Sequence, residues 1–241
     1  MKRMFTRLAG VTGVLLAAAS VASAQATTER RVFADFGAGG QVSTRTFSAS
    51  SAFTVFNEAG LVATNQATGR GFVLDVNGGY RIGRNITLGV GLWTAHPDGA
   101  SASAASIPDP LIFNHPTTLT LTSADLKQTD VGVNFQIGWR TMIGDRMDLA
   151  IVGGPTIIHV KQDLGSIAVT PGTQTGVASV VTESATTAKA GNVGFELGYR
   201  MSDRYGIGGF VRYAGGEVDL PSIPNLTVGG VQVGGRMRFW F

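Results

Sequence analysis

Asp75, Arg81, Asn134, Gln136, Arg140, Asp148, Glu196, Arg200, Arg212, Arg236 and Arg238 all stand at polar positions of segments in which apolar and polar residues alternate. Alternation of period two places such residues on one face of a strand. Arginines and carboxylates gathered in a narrow space either pair and seal it, or leave unbalanced charge that favours one sign of ion. This set holds six arginines against three carboxylates. An unpaired charge taken out of water is costly, so Arg–carboxylate networks that close the space are the expected outcome. A narrow, gated, weakly anion-preferring path is the alternative.

Other chemistry is thinner. His96, His115 and His159 accompany Asp98, Asp109 and Asp163 in segments expected at one rim of the structure, where a general acid/base pair is conceivable. No nucleophile elbow or His-Glu-x-x-His spacing accompanies them, and no two histidines stand at metal-ligand spacing. The reading is therefore of no catalytic residues, no metal and no cofactor. Glycine runs at residues 37–40 and 206–209 miss the dinucleotide and phosphate-loop spacings. Asn85-Ile86-Thr87 and Asn225-Leu226-Thr227 match a glycosylation triplet and are read as chance. Residues 107–116 combine Pro108, Pro110 and Pro116 with Leu111, Ile112 and Phe113. A rigid, partly buried excursion is expected, which caps one mouth or offers a binding surface; the lid is preferred, because an exposed run of that kind would be adhesive.

Composition narrows the setting. Lys2, Arg3 and Arg7 precede an apolar stretch at residues 8–19, and Ala22-Ser23-Ala24 fits small-x-small cleavage before Gln25. Residues 1–24 are thus expected to be a cleaved export signal, Ala22 and Ala24 flanking the site, and residues 25–241 the working domain. The apolar stretch is too short to cross ~30 Å of hydrocarbon as a helix. Taking Lys2, Arg3 and Arg7 from the 19 Lys+Arg leaves 16, against 16 Asp+Glu. The exported chain is then neutral, and its basic pI argues for no nucleic-acid partner. It has no cysteine, so neither disulfides nor thiolate metal sites hold it together.

The elements that must position the polar face are strands. Phe72, Leu74, Val76 and Tyr80 alternate with Val73, Asp75, Asn77 and Arg81. Val131, Val133, Phe135, Ile137 and Trp139 alternate with Asn134, Gln136 and Arg140, and Val193, Phe195, Leu197, Tyr199 and Met201 with Glu196 and Arg200. Each strand closes on Gly-aromatic-Arg, at Arg81, Arg140 and Arg200, 59 and 60 residues apart. A tight polar turn and a new alternating strand follow each time, which makes a hairpin repeated three times. Long connections at residues 57–70, 97–127 and 162–190 separate the hairpins. Short turns on one side and long connections on the other are the asymmetry of outer-membrane barrels, with the short turns periplasmic.

A first strand within residues 33–56, three hairpins and the terminal strand make eight. The expected fold is all-β: one eight-stranded antiparallel up-and-down transmembrane barrel. Parity slips within the first strand, which calls for a bulge near Gly39-Gly40 or a strand that leaves the membrane and continues above it. Pro155 calls for another bulge, because proline donates no ladder bond. A ten-stranded barrel using residues 117–122 or 177–182 is the alternative to extended ribbons above the membrane. Tyr80, Trp139 and Tyr199, with Phe241, are expected to form the periplasmic aromatic girdle.

The export signal, the Gly-aromatic-Arg turns and the terminal aromatic strand together resemble the OmpA/OmpX-like outer-membrane β-barrel domain family, over most of the chain from about Val32 to Phe241. The resemblance implies that Phe241, Phe239, Met237 and Val233 present a sorting signal to the barrel-assembly machinery; Gly235 departs from that pattern. It implies an integral protein of a Gram-negative outer membrane, surrounded by lipid and lipopolysaccharide, delivered by the export translocon and monomeric. The resemblance implies no role; the closed lumen and outward loops lead to the expectation of a structural or surface-interaction protein and not an enzyme, with a small gated pore the second possibility and an enzyme acting at the rim the third. Fold does not carry function across such a family.

Overall fold

Residues that alternate apolar and polar form strands, and strands whose two faces differ must separate two environments. The computed structural model describes residues 30–109, 111–169, 177–220 and 223–241. The candidate cleavage residues Ala22, Ala24 and Gln25 lie outside the described residues. Among the described residues nine strands run in order: β1 Val32–Gln41, β2 Arg45–Val55, β3 Glu58–Ile82, β4 Ile86–Ile107, β5 Thr117–Ile143, β6 Met147–Val169, β7 Val177–Arg200, β8 Tyr205–Leu220 and β9 Ile223–Trp240. All neighbouring pairs are antiparallel, and β1 bonds both β3 and β9, which closes the sheet on itself. β1 and β2 lie end to end along β3, from Gly71 to Tyr80 and from Glu58 to Thr68. Nine segments therefore make an eight-stranded ring.

The short turns follow from local chemistry. Gly83 (φ 69°) and Gly144 (φ 68°) adopt the left-handed backbone that closes the first two. The third uses Ser202 instead, whose Oγ accepts the N–H groups of Arg204 and Tyr205 at 3.2 and 3.3 Å.

Above these turns the outer wall is apolar. Phe36, Phe72, Leu74, Leu88, Val90, Phe135, Ile137, Ile151, Phe195, Leu197, Val211, Val233 and Met237 all face outward and are exposed. Tyr80, Trp139, Tyr199 and Phe241 edge this belt on the turn side. A closed ring leaves no open strand edge at its own depth, and its outward side chains are hydrocarbon. That is a wall built to stand in lipid. Its upper limit runs through Phe72, Leu92, Val131, Ile157, Val193, Tyr213 and Val233, all exposed on the outer wall.

Beyond the belt the ring opens along three seams. Pairing of β5 with β6 stops at Gln128 and Gln162, and that of β7 with β8 at Ala190 and Gly216. The β1–β9 ladder stops at Gln41 and Gln232, followed by one bond from the Val42 N–H to the Val231 carbonyl at 2.9 Å. The strands continue as a four-stranded sheet, β2-β3-β4-β5, and as β6–β7 and β8–β9 ribbons. Residues 117–122 and 177–182 thus lengthen β5 and β7 and add no strand to the ring. Most of the long connections are themselves strand.

Of the two alternatives for the first strand, the one that leaves the belt and continues above it holds, as β2, and neither expected bulge forms. The parity change falls at residues 42–44, where β1 ends and β2 begins, and not at Gly39-Gly40, which stay in register with β3 and β9. Pro155 makes no bulge: Asn134 pairs with Thr156 and Ile137 with Gly153, so two ladder positions are skipped without an extra residue. The missing donor is absorbed because neighbouring Gly154 lets the Phe135 carbonyl approach where any Cβ would collide.

Candidate functional site

The inward face fills the ring in three layers. In the lowest, nearest the short turns, Arg238 forks onto Asp35 through Nε and Nη2, both at 2.5 Å, and reaches Glu196 Oε2 at 3.0 Å. Arg236 Nη1 bridges Asp35 at 3.2 Å and Glu196 Oε1 at 2.6 Å. Arg140 pairs with Asp148 and, through Nη2, with Glu196 Oε2 at 2.6 Å. Glu196 thus touches all three guanidinium groups. One level up, Arg212 holds Asp75 at 2.7 Å and donates twice to Gln232 Oε1, at 3.0 and 2.6 Å.

Aromatic faces take up what the carboxylates leave. Phe33 lies under Arg238 (4.8 Å) and Arg140 (5.8 Å), and Phe210 under Arg236 (4.7 Å) and Arg212 (5.5 Å). The cavities beside this network are about 10 Å³ each, one lined by Arg140, Asp148, Glu196 and Trp240, the other by Phe33, Asp35, Asn77 and Gln136. Each has the room of one water molecule.

The middle layer is hydrocarbon. Val73, Trp93, Ala95, Ile158, Val160, Ala188, Ala214, Leu226 and Val228 form a buried cluster across the ring. Trp93 reaches into it because Gly132, opposite on β5, has no Cβ to obstruct the indole. The indole N–H donates to Asn134 Oδ1 at 3.2 Å, which also accepts from Thr156 Oγ1 at 2.9 Å. Asn192 donates to Thr156 at 2.8 Å and accepts from Gln136 at 3.2 Å.

Beside this cluster and beyond it, the filling is polar and mostly uncharged. Gln128 accepts from Thr68 at 3.1 Å and donates to Asp130 at 2.7 Å. Arg45 stands 3.6 Å from Asp130 and donates to the Thr227 carbonyl at 2.8 Å. Burial pushes the Asp130 carboxyl above its ordinary range, against the opposing pull of Gln128 and Arg45. Burial likewise lowers Arg45.

The residues singled out from the sequence fall into three groups. Asp75, Asn134, Gln136, Arg140, Asp148, Glu196, Arg212, Arg236 and Arg238 lie inside the ring. Arg81 and Arg200 are half-buried near the short turns, where Arg200 stacks on Trp240 at 4.9 Å. The histidines do not converge. His96 and His159 point outward, His159 Nδ1 3.1 Å from Thr187 Oγ1, and His115 is exposed near the distal tip of the β4–β5 ribbon. On the terminal strand Phe239, Met237 and Val233 face outward; Phe239 meets Phe36 edge-on at 6.1 Å, and the Phe241 N–H donates to the Val32 carbonyl at 2.9 Å.

Two expectations are corrected here. The excess of arginine disappears: Arg140, Arg212, Arg236 and Arg238 meet Asp35, Asp75, Asp148 and Glu196, four against four. Asp35 was the missing carboxylate, and its odd parity beside Val32, Ala34 and Phe36 is the signal that marks it. Residues 107–116 are no lid: Leu111, Ile112 and Phe113 are 87, 56 and 81% exposed. The β4 and β5 strands carry them away from the mouth instead of over it. Trp93 was also legible, two positions beyond Gly91 on the inner parity of β4.

No family model matches the chain, and no curated protein does. Among solved structures, the Neisserial surface protein A matches with a TM-score of 0.47 at 11% identity, over 87% of this chain and 97% of its own. Ail, the attachment invasion locus protein of Yersinia pestis, gives 0.36 at 13%, over 88% and 100%. The outer membrane protease OmpT of Escherichia coli gives 0.39 at 10%, over 91% and 100%. These likenesses are remote, and the barrel assignment rests on this chain's own strand pairing.

Proposed function

We propose that the chain is an integral outer-membrane barrel of a Gram-negative bacterium, with a closed lumen and a structural or surface-interaction role carried by its strands above the membrane. The observation that carries the reading is the filling of the ring. A neutral four-against-four ion-pair network underlies a hydrocarbon layer centred on Trp93. An ion would have to break the first and then shed its water in the second. Lipid and lipopolysaccharide surround the belt in this reading, the short turns are periplasmic, and the chain is a monomer. The export translocon delivers it, and the assembly machinery receives the outward face of β9. No catalytic step is included, since the three histidines stand apart. Single-channel recording on the refolded protein tests the closed lumen. No steps above the bilayer baseline are expected, and reproducible conductance steps would overturn it in favour of a small pore.

A further inference from the structure

The two sides of the belt differ in charge. Arg30, Arg31, Arg84, Arg146 and Arg204, with half-buried Arg81 and Arg200, stand on the short-turn side. Against these seven arginines are Asp145, Asp203 and the Phe241 carboxyl group; Glu29 lies outside the described residues. Past the upper limit of the belt the balance reverses, five Lys+Arg against nine Asp+Glu. Lys127, Lys161 and Lys189 all lie there, so the cations of the short-turn side are arginine alone.

A repeated joint places these arginines. Val32, Ile86, Met147 and Tyr205 each begin a rising strand, opposite Tyr80, Trp139, Tyr199 and Phe239 of the falling neighbour. The residues before them, Arg31, Asn85, Arg146 and Arg204, accept at their carbonyls the N–H groups of Arg81, Arg140, Arg200 and Trp240, at 2.7, 2.7, 2.7 and 2.9 Å. Three of the four joints thus carry an arginine one residue past the edge of the belt, and Arg84 adjoins the fourth. Arg31, Arg84, Arg146 and Arg204 are exposed. Among the described residues none of the four is ion-paired with a carboxylate, although Asp145 and Asp203 are chain neighbours of two of them. Arg146 Nη1 reaches back to the Tyr199 hydroxyl of the girdle, at 3.4 Å.

A guanidinium just past the girdle of a lipid-facing wall lies at headgroup depth. The belt itself settles what lies over it: the lipid whose chains line the wall. Arginine offers a planar fork that meets a phosphate with two bonds, a geometry lysine lacks. An unpaired cation at that depth also favours anionic lipid over neutral. We infer that Arg31, Arg84, Arg146 and Arg204 form a collar that binds the phosphates of anionic phospholipids in the leaflet the short turns face. This rests on the proposed periplasmic side of those turns and adds the headgroup class of the lipid around them.

Trp139 stands in the girdle on the outer wall, whereas Trp93 and Trp240 are buried inside the ring. Lipid brominated on its chains therefore quenches mainly Trp139, beside the collar. The full chain is refolded into phosphatidylcholine bilayers containing the same share of brominated phosphatidylglycerol or brominated phosphatidylcholine. Phosphatidylglycerol is expected to be preferred roughly fivefold, as for one cation near an anionic surface. The preference is expected to vanish in about 1 M salt, and in the variant with all four arginines replaced by glutamine. A Trp139→Phe/Leu92→Trp variant leaves the arginines untouched and moves the reporter to the upper limit of the belt, where no preference is expected. Equal quenching at Trp139, an equal preference at position 92, or a preference that survives the four glutamines would overturn the inference. Equal quenching with arginine-dependent sedimentation on peptidoglycan would make the cell wall the occupant instead. Because the chain has no cysteine, Asp145→Cys and a membrane-impermeant maleimide check the side separately. Labelling is expected only after the outer membrane is permeabilised. Labelling of intact cells would overturn the leaflet and the periplasmic reading with it, whereas equal quenching without such labelling would sink only the collar.

Discussion

The lower and middle layers of the same ring close it by opposite physics. Near the short turns, strands β1, β5, β6, β7 and β9 contribute charges compensated by one another and by the faces of Phe33 and Phe210, converging on Glu196. Higher up, β3, β4, β6, β7, β8 and β9 contribute hydrocarbon that needs no partner of defined geometry. A buried ion-pair network is unforgiving, because removing one member strands the others. A hydrocarbon layer degrades in proportion to the volume removed. The lower plug is therefore the specific one and the middle plug the tolerant one.

The contrast is broken most severely at Glu196. Glu196→Ala leaves Arg140, Arg236 and Arg238 with Asp35 and Asp148 alone, and a loss of about 3–5 kcal/mol is expected for an uncompensated buried charge. Urea unfolding of the protein in vesicles reads it, alongside conductance, because a freed guanidinium in the lumen is also expected to let anions through. A variant as stable and as silent as the wild type would show that the network does not hold the lower ring. Trp93→Ala is the matching cut in the middle layer. Loss of a buried indole costs about 3 kcal/mol or somewhat more, and the charged network beneath it stays intact to close the ring. The lumen is expected to remain silent in recordings although stability falls. Conductance in this variant and none in Glu196→Ala would invert the assignment of the two plugs.

Legibility in the sequence follows the same division. Within the belt, lipid on one side and a packed interior on the other impose strict alternation, so faces, hairpins and the count of eight could be read from the residues in β3, β5, β7 and β9. Arg140 and Glu196 were placed on one face by parity alone. Parity does not say which strands become neighbours across the ring, so the convergence on Glu196 needed the closed geometry. Asp35 was obscured because β1 and β2 are two segments on one neighbour with a break at residues 42–44, which disrupts the pattern a single strand would show. Above the belt both faces meet water or small polar groups, and Ser, Thr and Ala alternate with nothing to distinguish them. Residues 97–107 and 117–127, which lack any pattern of their own, therefore fold as strand all the same. The exposure of Leu111 to Phe113 escapes the sequence for a related reason: apolarity signals burial only where the chain can cover it, and β4 and β5 carry those residues away from the ring.

The finest test makes one substitution in two layers. Asp35 holds Arg238 through two bonds of 2.5 Å and Arg236 at 3.2 Å. Asp130, above the belt, has one arginine at 3.6 Å and a neutral donor in Gln128 at 2.7 Å. Burial already disfavours the charge on Asp130, and asparagine keeps an oxygen for Gln128 to donate to. Asp130→Asn is therefore expected to change stability by no more than about 1 kcal/mol, the worth of one ordinary hydrogen bond. Asp35→Asn, which strips the charge from two buried guanidinium groups, is expected to cost about 3 kcal/mol, at the lower end for a broken buried pair. The measurement is the difference between the two unfolding midpoints in the same lipid, so errors in the membrane reference state cancel. Equal losses would mean that charge is no more demanding below than above, and that the ring is plugged by volume alone.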